Sequence, residues 1–188
     1  MAAGLPHVKG LSLLFWWESF GRLEGAAAAE ALLRELPPEL VATIRAGFQV
    51  HAWYPIEWFR ALCAGARLVT GEGLGLITRV ARTSAASEFA GVHRVLVLFL
   101  SPQRLLRAAS RVFERYYTEG QVTSTARGKN GAEVRWSGCL GFDQNLWHDS
   151  WAAAVVLIEM CGGRDVLMEH MFGGQDGDAH ATVVFYWQ

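Results

Sequence analysis

Two predicted hairpins behind a run of predicted helices give an α+β fold with a four-stranded antiparallel sheet. Three observations carry that expectation. Lys129-Asn130-Gly131 joins Gln121–Arg127 to Ala132–Ser137, and Asn-Gly is the strongest short hairpin signal. A second pair of strand-like runs, Asp165–Phe172 and His180–Trp187, flanks the turn-rich Gly173–Asp178. Between the hairpins, Leu146–Cys161 is apolar on nearly every side and is stopped by Gly162-Gly163, as a buried helix would be. The C-terminal half thus reads helix-strand-strand-helix-strand-strand. We expect a single domain over residues 1–188, with a helical half to about 100 and a sheet-containing half from about 101.

The other elements follow in chain order. Val8–Arg22 is dense in aromatics (Phe15, Trp16, Trp17, Phe20) and suits a helix or a strand. Gly25–Leu36 is helical by composition, and Pro37-Pro38 ends it. Glu39–Ala46 gives a short helix closed by Gly47. After His51-Ala52-Trp53-Tyr54, Pro55 opens a helix reaching about Val69, with a stripe of Ile56, Phe59, Leu62, Cys63 and Ala66. Leu74–Phe89 resumes at helical spacing, and Val92–Leu100, interrupted by His93, suits a buried helix or a strand. Ser101 and Pro102 then start a long helix through Leu105, Ala109, Val112, Phe113, Tyr116 and Tyr117, which Gly120 stops.

Composition narrows the function classes. A chain of 188 residues with 52% apolar content and eight tryptophans can bury a substantial core. Its formal net charge of −1 argues against broad electrostatic capture of nucleic acid or anionic membrane. No apolar run approaches the roughly 18–20 residues that span a bilayer, and Met1–Val8 lacks the basic cluster of a secretory signal. A cytoplasmic protein is expected. Cys63, Cys139 and Cys161 are odd in number and widely spaced, which suits reduced buried thiols better than a disulfide framework.

No catalytic constellation stands out. The six histidines include no His-x-x-x-His or Glu-x-x-His spacing, although His170 and His180 face each other across the final hairpin, near Asp176 and Asp178. There is no Gly-x-Ser-x-Gly elbow, and Gly71-Glu72-Gly73-Leu74-Gly75 lacks the ending of a phosphate loop. Two features rise above this background. Arg104, Arg107, Arg111 and Arg115 share a narrow arc of the predicted long helix and suit an acidic partner surface. Trp53, Tyr54, Trp58, Phe113, Tyr117, Trp147 and Trp151 suit the wall of an apolar ligand pocket or a packed core.

Several landmarks together resemble a known group. VKG near the start, LPPEL, AWYP, SPQRLLRAASRVFERYYTEGQV and the closing VVFYW are similar to an uncharacterised domain family expanded in myxobacteria. That family is distantly similar to the 4-vinyl reductase domain, to small subunits of TRAPP-type vesicle-tethering complexes and to haem nitric-oxide sensor domains. The resemblance implies helices packed on a four-stranded antiparallel sheet. The chain departs from these relatives at two points. Gly177-Asp178 is followed by Ala179-His180-Ala181, without the cysteine of the vinyl-reductase type, and the Tyr-x-Ser-x-Arg motif of the haem sensors is missing.

The resulting expectation is a non-enzymatic regulatory or signalling module that binds a protein partner or a small apolar ligand, with a homodimer as a further partner. No cofactor, metal or nucleic acid is expected. The alternative is an enzyme or accessory factor associated with a tetrapyrrole, resembling the vinyl reductases or the haem sensors.

Overall fold

The computed structural model describes residues 5–89 and 100–188. Strand β1 (His7–Lys9) runs directly into helix α1 (Gly10–Glu35), so the aromatic stretch that suited helix or strand is mainly helix. Helix α1 kinks at Gly25, whose φ of 84° breaks the helical run without a side-chain clash. Helix α2 (Pro38–Ala46) follows the Pro37-Pro38 stop, and strand β2 (Trp53–Pro55) leads into α3 (Ile56–Thr70) and α4 (Leu74–Phe89). Positions 92–99, the second undecided stretch, lie outside the described residues, and His93 with them.

The long helix expected from Ser101 is two short ones. Ser101 caps α5 (Pro102–Arg107), Ala108 leaves helical geometry at φ −93° and ψ 3°, and α6 (Ala109–Phe113) follows. Competition for the backbone explains the early stop. Lys9 N–H donates to the Tyr116 carbonyl at 2.8 Å, and Thr118 N–H donates to the His7 carbonyl at 3.1 Å. Strand β1 therefore stitches Tyr116–Thr118 on one side and pairs antiparallel with β2 on the other. A helix reaching Glu119 would forfeit these bonds.

The two predicted hairpins are present. Strands β3 (Gln121–Ala126) and β4 (Gly131–Ser137) form the first, and β5 (Leu167–Gly173) and β6 (His180–Tyr186) the second. Pairing of β4 with β6 joins them into one antiparallel sheet of order β3-β4-β6-β5. Val122, Val134, Trp136, Ala181, Val183 and Phe185 are buried. Glu133 is buried as well, held by Arg127 and by Arg135 Nε at 2.6 Å. The outer strand β5 exposes Leu167, Met168, Met171 and Phe172, and an irregularity between His170 and Phe172 interrupts its register. Such bulges blunt an open edge.

Helix α7 (Gln144–Met160) is capped by Asp143, whose carboxylate accepts the Leu146 N–H at 3.0 Å. It packs along α4, where Arg82 and Glu159 pair at 2.8 Å, and its Trp151 ring meets His170 of β5 at 5.3 Å. Core residues of helices and sheet form one cluster, from Leu13 and Phe59 to Trp147 and Phe185.

Gly120 tests this packing. Its φ is 98°, and a Cβ there would lie 2.8 Å from Cys139 Sγ and 3.1 Å from the Phe113 ring. Gly128 shares a positive φ of 73°, but a Cβ there meets open space. Gly128→Ala should cost about 1 kcal/mol for its backbone alone. Gly120→Ala should cost about 1–3 kcal/mol more through overpacking. Urea denaturation of the two variants measures the difference, and equal losses would show that the Phe113–Cys139 contact yields freely.

Candidate functional site

A cavity of about 140 Å³ lies between the helices and the sheet. Its helical walls carry small residues at helical spacing: Ala81, Ser84 and Ala85 on α4, and Ser150, Ala153 and Ala154 on α7. Larger side chains close it. Trp16 of α1 and Phe59 of α3 form one boundary, Leu105 and Leu106 of α5 another, and Val122, Val134 and Trp136 face it from the sheet. Helix α6 adds Ala109, Val112 and Phe113. The β1 stitch delivers Tyr116 and Tyr117 to the same wall.

The polar groups of this wall are acids, hydroxyls and the indoles of Trp16 and Trp136. Tyr116 donates its hydroxyl proton to the Glu88 carboxylate. Burial raises the pKa of Glu88, with the Tyr116 hydrogen bond opposing, and burial followed by the Glu88 charge raises that of Tyr116. Asp149 is pushed up to about 7, first by burial and then by the Glu88 charge. The carboxyl is walled in by protein while the residue keeps partial accessibility, as expected of a group facing an internal cavity. The Trp16 indole N–H is directed at Asp149 and favours its charged form, opposing that rise. Ser150 stands beside the Tyr117 hydroxyl, a contact that opposes the rise burial gives Tyr117. No arginine or lysine lines the cavity among the described residues.

Of the seven aromatics singled out from the sequence, Phe113 and Tyr117 line this cavity, stacked with ring centroids 4.7 Å apart. Trp147 and Trp151 lie in the adjoining core, with Trp147 against Phe142 at 4.8 Å and Trp151 against Trp147 at 6.3 Å. Trp53, Tyr54 and Trp58 gather elsewhere: Tyr54 stacks on Trp58 at 5.4 Å, and Lys9 Nζ sits 3.9 Å above the Trp53 ring. Arg104, Arg107, Arg111 and Arg115 are all exposed, and the break at Ala108 divides them between α5 and the residues of and after α6.

The expected opposition of His170 and His180 is corrected by the register, in which His170 faces Val183 and His180 stacks on Phe172 at 4.9 Å. Among the described residues, no three His, Cys, Asp or Glu side chains converge to hold a metal. Burial pushes the Cys139 thiol up to about 12 and the Cys161 thiol to about 11, far from a reactive thiolate. No helix among the described residues is long and apolar enough to cross a membrane.

Asp149, Glu88 and Trp16 are the site residues that motif reasoning passed over. Asp149 had a signal, as a lone acid between Trp147 and Trp151 in an otherwise apolar helix. Glu88 had a weaker one, as an acid in the last turn of α4, where the helix dipole disfavours negative charge.

No protein family and no curated protein matches the chain. Solved structures do. The chain superposes on an oxygen-binding H-NOX domain related to soluble guanylate cyclases with a TM-score of 0.72 at 12% identity, covering 96% of this chain and 95% of that one. An H-NOX protein of a study on haem distortion gives a TM-score of 0.74 at 11% identity, with 96% and 95% covered. The Fe(II) unliganded H-NOX protein from K. algicida gives 0.72 at 9% identity, with 96% of each chain covered. The chain therefore shares the H-NOX fold. These neighbours correct the expectation of no cofactor, because the solved proteins that share this fold include haem proteins.

The charge of Asp149 has a measurable consequence. Its folded pKa lies above the ordinary carboxylate value of about 3.9. Its contribution to stability is therefore present below about pH 4 and is lost as pH rises through about 7. Asp149→Asn should gain stability over wild type across that window, by up to about 4 kcal/mol, and level off above it. Melting temperatures of both proteins across the range measure this, and a constant difference would place Asp149 in contact with water or a cation.

Proposed function

We propose that the chain is a sensory module that takes an apolar ligand into the cavity between its helices and its sheet. The observation that carries this is the cavity itself, apolar on most sides and closed by side chains from both halves of the fold. Helices α5 and α6 supply the route to an output. Leu105, Leu106, Ala109 and Phe113 face the ligand space, whereas Arg104, Arg107 and Arg111 on the same segments are exposed. A ligand that shifts this wall shifts a cationic surface available to an acidic partner.

Fold kinship supports a tetrapyrrole as the ligand class. The aromatic and alanine walls suit a flat ring. The donor set of the described residues does not suit haem iron: Tyr116 is engaged by Glu88, and no histidine or cysteine lines the cavity among them. Among the described residues, no carboxylate-binding cation lines it either. The volume of about 140 Å³ supports a second class, since a dry cavity of about 150 Å³ takes up benzene.

Titration with haemin, iron-free protoporphyrin and ethylbenzene separates these classes. A tetrapyrrole site should give a shifted, sharpened Soret band that saturates at one ring per chain. His93→Ala, altering the one histidine outside the described residues, should abolish iron ligation and spare protoporphyrin binding if histidine holds the metal. Ala85→Leu, which fills the α4 wall, should weaken every true cavity ligand by about tenfold or more. Hydrogen exchange at residues 102–113 should slow on ligand addition. Indifference of both the affinity and the exchange would refute the cavity as the sensing site.

A further inference from the structure

We infer that the Tyr116–Glu88 hydrogen bond couples the cavity to strand β1, so that filling the cavity fixes β1 against Tyr116–Thr118. This rests on reading the cavity as the ligand site. Three features of the geometry carry it.

The first is that Tyr116 bonds in two directions at once. Its side chain lines the cavity and donates the hydroxyl proton to Glu88, in the last turn of α4. Its carbonyl accepts the Lys9 N–H of β1 at 2.8 Å. One residue thus joins a cavity wall to a strand whose own residues are not among those lining the cavity. The second is that β1 has little support of its own. It is three residues long and pairs with a β2 of equal length, and so short a ribbon is marginal alone. Val8 is fully buried and anchors its centre. Toward Tyr116–Thr118 it is held by the Lys9 bond, by Thr118 N–H on the His7 carbonyl at 3.1 Å and by His7 N–H on the Thr118 hydroxyl at 2.9 Å. The third is that the tyrosine side is equally short. Helix α6 has five residues, too few to hold itself in water, and turns and bends follow it up to Glu119. The Glu88 bond ties this turn to the sixteen-residue α4.

Ligand and strand are linked through that bond. With the space empty, the Tyr116 and Glu88 side chains can part by swinging into it. A ligand in the space removes those alternatives and so stabilises the bond, together with the Lys9 and Thr118 cross-links that depend on the position of Tyr116. Lys9 also holds its ammonium 3.9 Å over the ring of Trp53, which is 40% exposed, so the state of β1 reaches the protein surface.

Hydrogen exchange of the Lys9 and Thr118 amides, followed by NMR with the β4–β6 ladder as internal standard, tests the coupling. Tyr116→Phe removes the donor and keeps the ring, Glu88→Leu removes the acceptor, and Glu88→Gln retains one; thermal melts show that each variant is folded. Tyr116→Phe and Glu88→Leu should each speed exchange at both amides by about tenfold or more. Their combination should be no faster than either alone, and Glu88→Gln should stay near wild type. Saturating ethylbenzene should slow both amides in wild type and leave them unchanged in Tyr116→Phe. Unaltered exchange in Tyr116→Phe, or effects that add in the double variant, overturns the proposal. Equal acceleration along β4–β6 overturns it as well, because the bond would then support the whole fold alike. Ethylbenzene that binds without slowing the two amides overturns the coupling and leaves the cavity as a ligand site. Ethylbenzene that does not bind overturns the apolar-ligand site, and the exchange of the variants still decides the coupling.

Discussion

The empty space between the paired helices α4 and α7 on one side and the sheet on the other is the constraint on which the rest of the site depends. Two helices packed along one another normally fill their contact with interdigitated side chains. Here Ala81, Ser84 and Ala85 of α4 and Ser150, Ala153 and Ala154 of α7 line the cavity, and these residues are too short to fill it. Neighbouring bulk cannot collapse into it, because each large residue is committed elsewhere. Trp16 stacks on Phe20 with centroids 5.8 Å apart and meets Phe59 edge-on at 6.1 Å, while Phe113 lies on Tyr117. The cavity survives because its rim is rigid and its walls are small.

Position of the polar groups depends on a second, longer-range device. Tyr116 and Tyr117 reach the cavity only because β1, three residues long, bonds to the backbone of Tyr116–Thr118 while pairing with β2. The same contact ends the helical run that started at Ser101. One short strand therefore sets the end of α6, the approach of the tyrosines and, through the Tyr116 hydroxyl, the state of Glu88.

Local signals made much of the fold legible in the sequence. Asn130-Gly131 marks a real hairpin, the apolar helix after it is buried, and the second hairpin closes the sheet, because turn chemistry and periodicity act over a few residues. The early end of α6 and the small sheet of β1 and β2 were not legible, since both arise from pairing of β1 with segments far along the chain, Val8 with Tyr117 and Val8 with Tyr54. Aromatic content likewise could not divide itself between wall and core. Phe113 and Tyr117 border the cavity, Trp147 and Trp151 stack behind it, and Trp53, Tyr54 and Trp58 form a separate group near Lys9. Composition is shared by all three settings, and only the tertiary arrangement sorts them.

Asp149 shows what a broken local rule can mean. Helix α7 is otherwise suited to burial, and an alanine or leucine at this position would continue its apolar surface at no electrostatic cost. The acid instead stands beside Glu88, a like charge, where burial and repulsion both oppose ionisation. Nothing in the packing of α4 against α7 requires it: their cross-link is the exposed Arg82–Glu159 pair at the far end. Consistency between local sequence and global fold fails here while the surrounding core obeys it, and such failures concentrate where a protein trades stability for recognition. An acid on a cavity wall gives that space a polar point that the alanines around it cannot supply.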